Sequence, residues 1–334
     1  MPPHTADSVD TAGPADSAAP ADTAGPQAPA GPSQPAAGAP GTATPATARS
    51  VGGGTGPGAA TGGASVGTHL PGGTPAPLAA VRAGPWHLGP DGVPQPDGVP
   101  LVLVHGFTQN AAAWGPLLDH LAGDRPVVAV DLPGHGRSSH LHCDLWGAAT
   151  MVAATGGTGD YLGYSLGGRV CLHLALSQPH TVRRLVLVGA TAGIADPTAR
   201  AARRAADEAL ADRIATEPLD QFLAQWLAQP LFRTLAPGGA AMEARLANTS
   251  AGLAASLRSC GTGTQEPLWD RLHSLTMPVL LIAGVLDLRF TMAATAMARA
   301  IGPSATVALV PGAGHASHLE RAAYVGTLVR RFLA

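Results

Sequence analysis

The chain contains no lysine: all 20 of its basic residues are arginine. Schiff-base catalysis and the phosphate-binding lysine of P-loop enzymes are thereby excluded; a GC-rich codon bias accounts for the composition better than any chemistry does. Charge of either sign is scarce at 13%, and the formal net charge of −2 comes without a basic block. That argues against nucleic acid or an anionic membrane as a partner. Cysteine is scarce too. Cys143, Cys171 and Cys260 have no metal-site spacing and cannot all pair with one another, so they read as small buried hydrophobes in a reducing compartment. Neither a metal nor an organic cofactor is expected. No apolar run reaches the roughly 18 residues needed to cross a bilayer, and no basic n-region leads into an apolar segment as in a secretory signal. A soluble, cytoplasmic protein is the expectation.

Aromatic residues are missing from the first 80 positions, which are almost entirely Ala, Gly, Pro, Thr and Ser with scattered Asp. Such a segment cannot bury enough apolar surface to offset its chain entropy. Residues 1–80 are therefore expected to be a disordered tail, either a spacer or interaction arm or an upstream stretch read from a misplaced start. Residues 81–98 read as a Gly/Pro-rich linker, and 99–334 as the folded domain.

Within that domain the apolar pattern switches on abruptly. Val99-Pro-Leu-Val-Leu-Val104 is a continuous hydrophobic run of the kind that buried parallel strands show. Similar runs follow at 126–131, 184–189, 278–284 and 305–310, with helical sequence around 114–121, 168–177 and 324–333. Strand alternating with helix implies a mostly parallel α/β sheet covered on both faces. From about 196 to 260 the strands stop, and Ala/Arg/Leu-rich helical spacing is broken at Pro218, Pro230 and Pro237. This reads as a helical cap inserted over the carboxyl edge of the sheet. The stretch from Ser139 to Gly159 is short and Ala/Gly-rich.

Gly163-Tyr164-Ser165-Leu166-Gly167 fits a nucleophile elbow, a sharp strand-to-helix turn that presents the serine while flanking glycines relieve crowding. The pentapeptide around Ser65 matches the same pattern, but glycine-rich coil surrounds it with neither strand nor helix. A serine nucleophile needs a base and an orienting acid, and in the α/β-hydrolase fold they follow in the order Ser, Asp, His. Asp287 comes just after the run ending at Gly284, and His315 just after the run ending at Val310. Both are therefore expected on loops at the carboxyl edge, where a relay with Ser165 can form. His318 and Glu320 are nearby alternatives, and Asp270 is an alternative acid. The fold supplies oxyanion-stabilising N–H groups after the nucleophile and after the first core strand, which selects Leu166 and Phe107. His105 and the turn Asp131-Leu-Pro-Gly-His-Gly136 read as scaffold.

Five segments then carry a closer likeness: Gly163-Tyr-Ser-Leu-Gly-Gly-Arg169, Trp226 with Gln229-Pro-Leu-Phe232, Gly252-Leu-Ala-Ala-Ser-Leu-Arg258, Gly261-Thr-Gly-Thr-Gln265 and Pro311-Gly-Ala-Gly-His-Ala-Ser-His318. From about Leu101 to Ala334 the chain resembles the 2-succinyl-6-hydroxy-2,4-cyclohexadiene-1-carboxylate synthase family of menaquinone biosynthesis. The resemblance implies a lyase that eliminates pyruvate from a tricarboxylate, with Ser165, His315 and Asp287 as the triad and no water consumed. It places substrate-binding roles on Arg169, Arg203, Arg245, Trp226 and Tyr164. Arginine's planar fork suits carboxylates, and Arg169, four residues after Ser165, shares its helix face. The chain departs from the family pattern at Val285-Leu-Asp287-Leu-Arg289, where an acidic residue before the Asp and a lysine in place of Arg289 are usual. The same triad would equally serve a serine esterase or a carbon–carbon bond hydrolase, though those need a less cationic pocket.

Overall fold

The computed structural model describes residues 76–236 and 241–334. Most of the segment expected to be disordered, the Ser65 pentapeptide and Pro237 lie outside the described residues. The parallel strands are β4 (Leu101–Val104), β5 (Val127–Val130), β6 (Gly159–Tyr164), β7 (Val182–Val188), β8 (Val279–Gly284) and β9 (Ala305–Val310). Every residue of β4, β5, β6 and β8 is buried, which is why β4, β5 and β8 are hydrophobic without alternation.

Residues 81–98 are not a linker. β1 (Ala80–Ala83) lies antiparallel to β5, running from Ala80 opposite Val130 to Ala83 opposite Val127, and β2 (Trp86–Leu88) pairs with β3 (Pro94–Pro96) in a separate hairpin. These strands are too short, and too interrupted by proline and by Gly84 at φ 82°, to show a period of two. β1 satisfies the open hydrogen-bonding edge of β5 without burying an apolar face of its own. The seven-stranded sheet has the order β1-β5-β4-β6-β7-β8-β9.

Side chains along each strand point alternately to the two faces. Val102, Val104, Val128 and Val130 meet one helical layer, whereas Leu101, Leu103, Val127 and Ala129 meet the other. The first layer includes α2 (Leu145–Gly156), α3 (Leu166–Ser177) and α8 (Leu288–Ile301); the second holds α1 (Pro116–Ala122) and α10 (Ala322–Leu333). α2 lies within the short, Ala/Gly-rich stretch from Ser139 to Gly159. The Asp144 carboxylate caps it by accepting from Gly147 N–H at 2.8 Å, and Gly156 lies so close to Val102 that a Cβ there would stand 2.6 Å from a valine methyl. Small residues are what let α2 approach the sheet. Cys143, Cys171 and Cys260 are free thiols, and burial raises the pKa of all three.

Between β7 and β8 the chain forms α4 (Pro197–Thr216), α5 (Leu219–Leu227), α6 (Met242–Leu246) and α7 (Ser250–Cys260). They share a small apolar core of their own, with Ala211, Ile214, Phe222, Leu223, Leu253 and Leu257 buried together. No helix among the described residues is long and apolar enough to cross a membrane. β4 and β6 are hydrogen-bonded neighbours, but the chain leaves β4 toward β5 on one side and leaves β6 toward β7 on the other. Their carboxyl ends thus flank a switch point, the place where an open α/β sheet leaves a crevice for ligands.

Candidate active site

Ser165 sits at that crevice, at the junction of β6 and α3, with φ 51°. A left-handed backbone is costly for a residue with a side chain and persists only where its surroundings impose it. Here the turn is squeezed on all sides: a Cβ on Gly163 would overlap the carbonyl of Gly167, and one on Gly167 would overlap that of Val104. Ser165 N–H donates to Val188 O at 2.9 Å, which ties the turn to the neighbouring strand. Leu166 N–H opens α3 and has no carbonyl within its helix to bond.

His315 Nε2 lies 3.2 Å from Ser165 Oγ, and His315 Nδ1 lies 2.9 Å from Asp287 Oδ2. Asp287 is also the N-cap of α8, its Oδ1 accepting from Phe290 N–H at 3.3 Å. Because the carboxylate accepts the Nδ1 proton, Nε2 presents its lone pair to the serine hydroxyl. The rings of Phe290, Tyr164 and Phe232 pack around the imidazole at centroid distances of 4.4, 5.3 and 6.1 Å. The alternatives lie elsewhere. His318 is fully buried beneath Tyr164, with ring centroids 4.0 Å apart; Glu320 accepts from Gly314 N–H at 2.8 Å; and Asp270 is exposed in a short 3-10 turn.

His105 and His135 are scaffold in the geometric sense. His105 Nε2 accepts from Leu132 N–H at 3.0 Å, leaving Nδ1–H to donate to Gly106 O at 2.8 Å. Burial, the largest influence in each case, lowers the pKa of His105 and His173 to about 4 and that of His135 and His318 to about 3. Unfolded, each imidazole takes its proton near pH 6.5. Between that pH and the folded values the unfolded chain binds more protons, so stability falls as pH drops from 6.5 toward 4, by about 1.4 kcal/mol per pH unit for each group. We expect the Tm to be highest near neutrality and to fall steadily across this window. Thermal melts followed by circular dichroism check this, and a flat Tm would contradict neutral, buried imidazoles.

A cavity opens over Ser165 and His315. Four arginines line it: Arg169 from α3, Arg203 from α4, Arg245 from α6 and Arg289 from the first turn of α8. Phe107, Tyr164, Leu166 and Trp226 line it as well, so the triad, oxyanion and substrate-binding residues expected from the sequence all reach this cavity except Asp287, which stands behind His315. Arg169 is 7% exposed and Arg245 1% exposed. Burial pulls both guanidinium pKa values down to about 10, leaving both charged at neutral pH. Arg169 donates through Nη1 to Cys260 O at 2.7 Å and to Gln265 Oε1 at 3.5 Å. Arg203 pairs through Nε with Asp207 Oδ1 at 2.7 Å, and Asp207 Oδ2 accepts from Gly263 N–H at 2.9 Å. The neighbouring Arg204 is exposed. Asp207 went unnoticed in the sequence, although its spacing of four from Arg203 was the available signal. Asn248, which bonds the loop after β4, had no such signal.

A serine, histidine and aspartate strung along the carboxyl edge of such a sheet define an α/β-hydrolase-fold protein, and residues 99–322 match the family model for the alpha/beta hydrolase fold. The chain is 33% identical over 242 residues to the 2-succinyl-6-hydroxy-2,4-cyclohexadiene-1-carboxylate synthase of Serratia proteamaculans, covering 70% of this chain and 92% of that one. It is 34% identical over 243 residues to the synthase of the same name from Klebsiella pneumoniae, covering 70% and 93%. Among solved structures, MenH from S. aureus aligns with a TM-score of 0.65 at 28% identity, covering 70% of this chain and 93% of that one. A malate-bound thermophilic esterase from Thermogutta terrifontis aligns with a TM-score of 0.63 at 25% identity, covering 77% and 92%. The chain belongs to the 2-succinyl-6-hydroxy-2,4-cyclohexadiene-1-carboxylate synthase family of that fold.

Proposed function

We propose that this chain is a carbon–oxygen lyase of menaquinone biosynthesis. It eliminates pyruvate from 2-succinyl-5-enolpyruvyl-6-hydroxy-3-cyclohexene-1-carboxylate to give 2-succinyl-6-hydroxy-2,4-cyclohexadiene-1-carboxylate. The observation that carries the reading is the set of four arginines around one serine–histidine pair. A substrate with three carboxylates must be held by fixed cations, whereas a neutral ester has no use for them.

The proton to be removed is on the ring carbon that bears the succinyl ketone. Ser165 Oγ takes it while passing its own proton to His315 Nε2, and Asp287 stabilises the imidazolium that forms. The electron pair moves through the ring double bond and expels the enolpyruvyl oxygen. The released enolate takes up at carbon the proton that His315 holds and becomes pyruvate, which restores the neutral imidazole, so atoms and charge balance without water. Negative charge developing on the succinyl ketone oxygen is met by the N–H groups of Phe107 and Leu166. Arg169, Arg203, Arg245 and Arg289 hold the carboxylates, and Tyr164 and Trp226 supply the walls.

The expected result is rapid pyruvate release from the tricarboxylate in a coupled assay and little turnover of p-nitrophenyl esters. The converse, ester hydrolysis without pyruvate release, would keep the triad and move the function to the esterase reading.

A further inference from the structure

The helical segment over the site reaches it through more than its arginines. Thr108, the residue after Phe107, has φ 64°, and a β-branched residue adopts the left-handed region only where its surroundings impose it. What holds it comes from 137 and 140 residues away: Arg245 Nη1 donates to Thr108 Oγ1, and Asn248 Nδ2 donates to Thr108 O at 2.9 Å. Asn248 is 5% exposed. Its Nδ2 also donates to Arg245 O at 2.9 Å, and its Oδ1 accepts from Gly136 N–H at 2.7 Å, in the turn after β5. Beside it, Asn110 Nδ2 donates to Ala244 O at 2.5 Å.

On the other side of Phe107, Gly106 O accepts from His105 Nδ1–H at 2.8 Å and from Gln109 N–H at 3.1 Å. Those two donors fix the Gly106–Phe107 peptide plane, in which the Phe107 N–H points opposite to the Gly106 carbonyl. The Gly106–Phe107 peptide is thus held by the sheet-side scaffold, and the Thr108–Gln109 peptide, on the far side of Phe107, by the junction of α6 and α7.

We propose that Asn248 is a positioning residue for the charge-stabilising amide of Phe107: by tying Thr108 to Gly136 and to the α6–α7 junction, it completes the oxyanion site. The proposal rests on the role given above to the Phe107 and Leu166 amides. A donor displaced by a fraction of an ångström loses effect on the transition state, in which charge develops, while Arg169, whose bonds go to Cys260 O and Gln265 Oε1, makes none to Asn248.

The test compares full-length wild type with Asn248→Ala and Asn248→Asp, each assayed well below its own Tm. The aspartate keeps an acceptor for Gly136 N–H but sets an oxygen where Nδ2 donated to two carbonyls. We expect kcat to fall by about 10- to 100-fold with KM changed less than about 3-fold. The affinity of phenylboronic acid should fall in step. That probe forms a B–O bond to Ser165 Oγ while the hydroxyl proton passes to His315, leaving a tetrahedral anion that needs the same amides. Folded variants with unchanged kcat and unchanged boronate affinity would overturn the proposal, as would a change in KM alone. If wild type releases no pyruvate, the same comparison on p-nitrophenyl acetate still reads the amide, which separates failure of this inference from failure of the lyase reading.

Discussion

Ser165→Ala should lower kcat/KM for pyruvate release by about 10³- to 10⁴-fold, and adding His315→Ala should cost little more. The two side chains form one proton relay, with Ser165 Oγ 3.2 Å from His315 Nε2, so once the serine hydroxyl is gone the imidazole has no proton to receive from it. Alanine is a fair probe because it leaves the backbone of the turn as constrained as before: the crowding against Gly163, Gly167 and Val104 comes from the main chain, not from the serine oxygen. The Tm of the single variant should stay within a few degrees of wild type. The residual rate then measures what the amides of Phe107 and Leu166 and the arginines supply by themselves. Losses that multiply would carry a different message: His315 would be removing the ring proton directly, with Ser165 only orienting the substrate.

The parallel strands were legible because burial on both faces demands unbroken apolar runs, and β4, β5 and β8 are such runs. The elbow and the order of serine, aspartate and histidine were legible because each follows a strand, and the carboxyl ends of parallel strands share one edge. β1 to β3 were not, since strands of three or four residues with proline and glycine between them leave no periodic signal. α2 was obscured for a related reason: its glycines and alanines suit close packing on Val102 and Tyr161, a demand set by distant residues. Around the site the divide is the same. Arg203 and Asp207 pair within one helix and obey helical spacing, whereas Asn248 acts on a loop 140 residues earlier. Arg245 was selected as a substrate ligand by resemblance. That it also donates to Thr108 is a consequence of tertiary packing that no local pattern records.

Arg169→Gln should lower kcat/KM for the tricarboxylate by roughly 10²- to 10³-fold, about 3 to 4 kcal/mol, within the range for removing one partner of a buried charged pair. The size follows from burial. At 7% exposure the guanidinium is largely removed from water, yet with a pKa of about 10 it stays charged at neutral pH. Its contacts to Cys260 O and Gln265 Oε1 both use Nη1, so of the five N–H donors in the fork, those on Nε and Nη2 remain for a carboxylate. Arg169→Lys should recover only part of the loss, because an ammonium carries the charge without the bidentate geometry. Turnover of a neutral p-nitrophenyl ester, however slow, should change less than 3-fold in either variant, since it calls on Ser165, His315 and the amides but not on a cation. Equal losses on the ester and the tricarboxylate would mean that Arg169 shapes α3 beneath the serine and binds no carboxylate. Steady-state kinetics of both reactions on the same protein preparations distinguish the two.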